Sequence, residues 1–369
     1  MVKKIGLLTG GGDCPGLNAV LWSAVRAADH VGIEVLGIED GFEGLVDVNR
    51  VRRLGIADVR NIMSLGGTVL GSTNRGNPFQ FVRNVDGVDQ TMDCSTEVVR
   101  NIEKLALDGI VCIGGDGTLA IAHDLAALGA KVVGVPKTID NDLAATDTTF
   151  GFYTAVETAM SALDRLKTTG ESHDRVMILE VMGRYAGWIA LHSGLTGGAH
   201  CILIPEIPYS LDAVLARIRA RWQEERRNFT LIVVAEGAFE QGGAVHHLGD
   251  APLGSVARVG GAALMLETAL RRSFAAHWDR PQVPEIRTTV LGHIQRGGAP
   301  CAYDRLISLR FGAEAVRLAH AGLWNRMVCL RGTDIDNVPL GEAVGQLHRV
   351  DPHGQLVQHA RAVGISLGN

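Results

Sequence analysis

Residues 134–142 read GVPKTIDND, an apolar strand end running into a loop with two carboxylates two positions apart. A buried or half-buried carboxylate is costly unless it is paired, binds a metal or moves protons. A hydroxyl attacking a phosphoryl group gains from a carboxylate that takes its proton, in line with Mg²⁺-bound phosphates. Asp140 suits that base. Asp142 could stand near the metal or hold arginines, and Thr138 could hydrogen-bond the group in transit. Lys137, just before them, leaves its own purpose open. A D-x-D pair also arises by chance in loops, so the signal needs company.

Company comes from two glycine loops. TGGGDCPGLNAV (9–20) follows an apolar run and opens a helical pattern, so Gly10, Gly11 and Gly12 let backbone N–H groups close around phosphate oxygens at a helix start. It lacks the Lys and Ser/Thr ending of a P-loop and does not match G-x-G-x-x-G. IGGDGTLA (113–120) repeats the arrangement, with Asp116 held between glycines where its carboxylate can face a Mg²⁺ ion. The plain alternative is a helix-capping aspartate, which one such loop alone would not exclude.

Two further loops, ESHDRVMILEVMGRYAG (171–187) and IRTTVLGHIQRGGAP (286–300), offer Arg175, Arg184, Arg287, Arg296 and His293. Arginine is suited to bidentate phosphate contact. Taken singly each is more often a solvated side chain, but Arg184 and Arg296 sit beside glycines at strand ends. Glu236, in VAEGA, is placed to accept hydrogen bonds from sugar hydroxyls. Two anion cradles, a metal carboxylate, a base and an arginine pocket fit phosphoryl transfer onto a phosphorylated polyol.

These residues need a frame that brings distant loops together. Short β-branched runs recur at 3–9, 33–39, 109–115, 131–136, 175–182, 201–206, 230–237, 287–292 and 327–332, with helical patterns between them. Strands alternating with helices predict an α/β chain of mainly parallel sheets with helices on both faces. Ligands in such sheets sit at the carboxyl ends of strands, where the polar and glycine loops here fall repeatedly. At 369 residues with 46% hydrophobic content the chain can form two packed domains. We expect two Rossmann-like three-layer domains with the active site in the cleft between them, and a boundary near residue 150. A net charge of −5 without basic runs argues against a nucleic-acid face. Six cysteines without C-x-x-C read as reduced thiols in the cytoplasm. The apolar start stops at Thr9, so it reads as a strand and not a targeting segment, and no run is long enough to span a membrane.

In order, TGGGDCPGLNAV, IGGDGT, PKTIDND, VMGRYAGWIALHSG, Pro205-Glu206, AEGA and LGHIQRGGAP followed by Tyr303-Asp304-Arg305 resemble the signature segments of 6-phosphofructokinases, over about residues 3–332. The resemblance implies transfer of a phosphoryl group to the 1-hydroxyl of fructose 6-phosphate, with Mg²⁺, in homodimers or homotetramers. By position, Asp140 corresponds to the catalytic base and Asp116 to the Mg²⁺ carboxylate, with Thr138 and Asp142 completing the reacting centre. Gly12 and the Gly115–Thr118 loop, Gly117 included, would contact donor phosphates. Arg184 would balance charge on the phosphoryl, with Met182 and Gly183 lining the sugar site. Glu236 would bind the sugar, and His293 and Arg296 its 6-phosphate. Arg175 and Arg287 resemble arginines that reach in from a neighbouring subunit. Residues 1–150, with part of about 294–345, would form the donor and Mg²⁺ domain. Residues 151–293, with the C-terminal tail, would form the sugar domain.

The family divides into ATP and pyrophosphate users, and Gly117 and Lys137 bear on the choice. Pyrophosphate enzymes carry Asp at the position of Gly117 and Lys at that of Lys137. A carboxylate at 117 would crowd and repel a nucleotide's α-phosphate, whereas glycine leaves the space open; ATP is therefore expected, with pyrophosphate the alternative. Arg75 stands about one residue late of the family's donor-side arginine and is still assigned to the donor. Trp22 and Gly55 replace arginines of the family's effector cluster while Arg26 remains, which puts that regulation in question. A dehydrogenase lacks its glycine fingerprint here, kinases sharing only GGDGT lack PKTIDND, and a non-catalytic sensor would have no use for Asp140. Sedoheptulose 7-phosphate stays open as a second acceptor.

Overall fold

The computed structural model describes residues 2–223, 228–247, 249, 259–278 and 283–369. Its first half runs β1 (Lys4–Thr9), α1 (Leu17–His30), β2 (Glu34–Ile38), α2 (Glu43–Val46), β3 (Val51–Arg53), β4 (Phe81–Val85), β5 (Val88–Met92), α3 (Ser95–Lys104), β6 (Gly109–Gly114), α4 (Asp116–Ala127) and β7 (Val132–Pro136). There follow α5 (Phe152–Ser172), β8 (Arg175–Val181), α6 (Trp188–Thr196), β9 (Cys201–Leu203), α7 (Leu211–Gln223), β10 (Thr230–Ala235), α8 (Ala262–His277) and β11 (Glu285–Val290). The chain closes with α9 (Ala302–His320), β12 (Arg326–Arg331), β13 (Asp334–Pro339), α10 (Leu340–Ala343) and α11 (Gln355–Ala362).

Two main sheets result. The larger has the order β13-β12-β7-β6-β1-β2-β3, parallel except at its two edge pairs, and the smaller is the all-parallel β11-β8-β10-β9. Parallel strands covered on both faces must be apolar on both, and these are. Leu7, Val111 and Val133 point to one side with Met177, Leu179 and Val233 in a core shared by the two sheets. Leu8, Ile110, Cys112 and Val132 alternate onto the far face of the larger sheet. Val176, Ile178, Ile232 and Val234 do the same on the smaller, under α7 and α8. The α/β expectation holds, and each of the nine apolar runs contains or overlaps a strand. Four further strands lay outside the reading. β3 is too short and arginine-rich to register as an apolar run. The β4–β5 hairpin is mostly exposed, though Asp86 and Gly87, both with positive φ, form the D-G turn that could have revealed it. β13 folds back antiparallel on β12. Among the described residues, no helix is long and apolar enough to cross a membrane.

The carboxyl ends of β1, β6 and β7 carry the glycine loops and the 137–142 loop; those of β8, β10 and β11 carry Arg184, Glu236 and the short 3-10 turn Gly292–Arg296. The last forty residues touch both sheets: β13 edges the larger, and Ser366 bridges to Cys201 of β9.

Candidate active site

The two glycine turns are packed against each other. Gly10 N–H donates to the Ile113 carbonyl at 2.9 Å, and a Cβ on Gly10 would sit 2.7 Å from the Thr118 hydroxyl. Gly11 has a φ of +77°, a conformation that side chains rarely adopt, so the tight turn requires glycine there. The 72–75 segment joins them: Ser72 Oγ donates to the Gly11 carbonyl at 2.5 Å, and Gly11 N–H donates to Thr73 O at 3.1 Å. Arg75 is exposed in that segment. Thr118 is buried in the first turn of α4, next to Gly115 and Asp116. At Gly117 nothing lies within 4 Å of where a Cβ would be.

Lys137 emerges from β7 between the turns, only 4% exposed, with Nζ donating to the Gly12 carbonyl at 2.5 Å. Burial pushes its pKa down; Arg296 adds to that, while Cys14, Asp142 and Asp140 oppose it. Cys14 beside it is a buried thiol pushed up to about 12, chiefly by burial, and so stays neutral.

The reacting loop comes next. Asp140 N–H donates to Thr138 Oγ1 at 3.1 Å, and the Thr138 hydroxyl bonds the Asp142 carboxylate. Between the two aspartates Asn141 sits at φ 53°, its side-chain oxygen accepting from Thr149 N–H at 3.0 Å. Asp140 Oδ1 is buried with no hydrogen-bond partner among the described residues. Burial first, then the charge of Asp142, raise Asp140 to about 7, while Arg296, Lys137 and Arg184 pull the other way. Asp142 is raised too, by burial and by Asp116, against the Thr138 bond. Asp116, Asp140, Asp142 and Arg184 therefore feel one another around one cleft, although Arg184 belongs to the smaller sheet.

Glu236 closes the opposite wall. Burial, then Asp140 and Glu180, raise it to about 8, with Arg296 and Arg184 opposing. Its N–H donates to Val181 O at 2.8 Å, and Gly237 N–H to Gly183 O at 3.2 Å, which ties the β10 and β8 ends together. Met182 is buried there, and Gly183 turns the chain at φ +127°. The Arg184 guanidinium lies 4.8 Å over the Tyr185 ring with its Nε buried and unbonded among the described residues. Arg296 reaches the donor side: Nη1 donates to Asp13 O at 3.0 Å, and a Cβ on Gly12 would meet it at 2.8 Å. His293 is exposed on the same 3-10 turn.

Arg175 and Arg287 are not brought to this cleft within one chain. Arg175 begins β8, with Nε 2.5 Å from Glu285, and Arg287 pairs with the same carboxylate. At about 3.3 Å per residue, the strand separates Arg175 from Met182 by roughly 20 Å. At the surface of α1, Arg26 stacks over Trp22 at 4.8 Å, and Gly55 N–H donates to Asp58 at 2.7 Å.

Sequence reasoning missed Glu180 and His348, and it quoted Glu206 without giving it a role. Glu180 is 4% exposed and accepts from Gly261 N–H and Ala263 N–H at 3.2 and 2.9 Å, anchoring the start of α8. A lone carboxylate inside the apolar run RVMILEVM was the available signal. Glu206 accepts from Gly187 N–H at 3.0 Å ahead of α6. His348 carried no local signal at all.

Among the described residues no group of three His, Cys, Asp or Glu could hold a metal ion by itself. Asp116 and Asp142 are hard oxygen donors, the set Mg²⁺ uses when substrate phosphates and water supply the remaining positions. The residues fit that ion.

The Phosphofructokinase family model matches residues 4–319. A Chloroflexus aurantiacus protein named ATP-dependent 6-phosphofructokinase is 49% identical over 367 residues, spanning all of this chain and 98% of its own length. A Streptomyces coelicolor protein named pyrophosphate–fructose 6-phosphate 1-phosphotransferase is 46% identical over 95% of this chain and 96% of its own. Among solved structures, Pichia pastoris phosphofructokinase superposes with a TM-score of 0.77 at 30% identity, covering 98% of this chain and 36% of that longer one. A pyrophosphate-dependent enzyme from Marinobacter aquaeolei, at 22% identity and a TM-score of 0.76, shares the fold. With glycine turns, reacting loop and arginine pocket gathered in one cleft and these likenesses over its length, the chain belongs to the phosphofructokinase family.

Proposed function

We propose that this chain transfers the terminal phosphoryl group of ATP to the 1-hydroxyl of fructose 6-phosphate, giving fructose 1,6-bisphosphate and ADP in glycolysis. One observation carries the reading: Asp140, a carboxyl titrating near 7, stands between the donor turns and the arginine-lined wall. Asp140 takes the hydroxyl proton, since a base is most effective when its pKa is close to the working pH. Thr138 and Asp142 fix its loop. Arg184, its Nε buried and unbonded among the described residues, balances charge on the group in flight. The backbone around Gly12 and Gly115–Thr118, with Arg75 at the rim, receives the donor phosphates. Asp116 would hold Mg²⁺, which neutralises charge on those phosphates when bound. Met182, Gly183 and Glu236 line the sugar, and His293 and Arg296 take its 6-phosphate. Arg175 and Arg287 serve a neighbouring copy, so the working form is a homodimer or homotetramer. Residues 1–150 with part of 294–345 make the donor half, and 151–293 with the tail the sugar half. The six free thiols suit the cytoplasm.

Open space at Gly117 favours a nucleotide, because the α-phosphate needs that room. Lys137 supports the second reading, pyrophosphate as donor, since it lies between the two turns. Steady-state assays with ATP and pyrophosphate side by side decide. Turnover with pyrophosphate alone would reverse the donor assignment, and no fructose 1,6-bisphosphate from either would end the proposal.

A further inference from the structure

The family match stops at residue 319, yet a later stretch of chain is wound into the reacting centre. Gly345 N–H donates to Asp116 Oδ1 at 3.4 Å, and Leu347 bridges Leu143. His348 makes the closest approach. Its backbone N–H donates to the Asp142 carbonyl at 2.8 Å, and its ring Nδ1 lies 3.1 Å from the Asn141 carbonyl. A carbonyl can only accept, so Nδ1 carries the proton. On its other side the ring stacks on Trp188 at 4.8 Å, and the Trp188 indole N–H donates to the His348 carbonyl at 2.9 Å. Two residues on, Val350 N–H donates to Glu206 at 2.8 Å, the carboxylate that also takes Gly187 N–H. Trp188 and Gly187 directly follow the loop bearing Arg184.

We infer that His348 is a positioning residue of the phosphoryl-transfer centre, holding the Asp140–Asp142 loop in register with the Arg184 loop. The reason lies in the turn at Asn141. Asn141 at φ 53° takes the left-handed conformation, which most non-glycine residues avoid, and its surroundings hold it there. Thr149 fixes the Asn141 side chain and His348 fixes the two carbonyls that follow that φ. The orientation of Asp140 relative to Asp142 and Arg184 depends on that turn, and a misplacement of about 1 Å can cost 10²-fold in rate. No other side chain among those described bonds the Asn141 carbonyl. The inference rests on Asp140 acting as the base.

The test uses the full-length protein with three variants, reading kcat, both KM values and thermal melting. His348→Phe keeps a ring on Trp188 and the backbone bond but loses the Nδ1 donor. It should melt within a few degrees of wild type yet lose about 10- to 100-fold in kcat, with each KM within about threefold. His348→Asn places an amide N–H where Nδ1 stood and should recover kcat to within about threefold. His348→Ala should be at least as slow as the Phe variant. A Phe variant with wild-type kcat, or an Asn variant as slow as the Phe one, overturns the inference while leaving the activity intact. A wild-type protein unable to phosphorylate fructose 6-phosphate with ATP or pyrophosphate overturns the function, and this role with it.

Discussion

Replacing Asp140 by Asn should damage turnover and strengthen the fold, and both effects come from the same buried carboxyl. Its pKa in the folded chain is about 7 against an ordinary 3.8. A group raised in this way keeps its proton in the folded state while the unfolded chain loses it. Stability therefore falls as pH climbs from about 4 to about 7, and the loss is complete above that window. The difference of about 3 units corresponds to about 4 kcal/mol at most, because the Asp142 charge that adds to the rise is itself partly proton-linked. An amide cannot ionise, so Asp140→Asn avoids that penalty. Part of the gain is lost because the amide N–H₂ finds no better partner than the carboxyl had, a loss of about 1–3 kcal/mol. We expect a net gain of about 1–3 kcal/mol at pH 8 by urea denaturation and a net loss of about 1–3 kcal/mol at pH 4, where the carboxyl is neutral and only the unpartnered amide counts. In the wild type, kcat/KM should rise about tenfold per pH unit below about 7 and level between about 7 and 8. The Asn variant should lose about 10²–10⁴ in kcat while calorimetry still detects fructose 6-phosphate binding. A variant turning over within tenfold of wild type would falsify the role as base. Equal stabilisation at pH 4 and pH 8 would show that buried charge is not what perturbs this site.

Gly117→Asp should fold normally, since the new side chain enters open space, and should abolish ATP use. Two like charges 4 Å apart at an effective dielectric of 20 repel by about 4 kcal/mol, roughly a thousandfold in donor affinity; retained ATP turnover with an unchanged KM would sink the donor argument. Arg287→Ala should raise KM for fructose 6-phosphate, and mixing it with Asp140→Asn should restore some activity if the arginine serves a neighbouring copy; no restoration in a mixed oligomer counts against sharing. In the proposed sugar site Glu236, held neutral up to about 8, would donate a hydrogen bond to a sugar hydroxyl instead of only accepting one, so KM for fructose 6-phosphate should rise above pH 8 as it ionises. Glu236→Gln should flatten that rise, and a pH-independent wild-type KM would contradict it.

The amino-acid sequence by itself determined the α/β class, because strands buried on both faces must be apolar on both, and those runs need no neighbours to be recognised. It also determined which loops carry chemistry. GGGD and GGDG combine glycine's backbone freedom with a carboxylate, TIDND sets two carboxylates at a strand end, and these properties are local. The tertiary structure decided what those groups experience. Asp140 rises to about 7 because burial and the charge of Asp142 outweigh Lys137 and the arginines Arg296 and Arg184, which pull it down. Arg296 lies nearly three hundred positions from the turn it touches, and no spacing rule reports that its guanidinium meets Asp13 and Gly12. Lys137 is commonplace in the sequence and becomes informative once its ammonium is seen buried against the Gly12 carbonyl. His348 stands in an irregular tail of ordinary composition, and its relation to Asn141 and Trp188 is created by the chain crossing from one sheet to the other. Residue type and local spacing set what a group can do; its pKa, its partners and its orientation are properties of the packed neighbourhood, which long-range folding alone supplies.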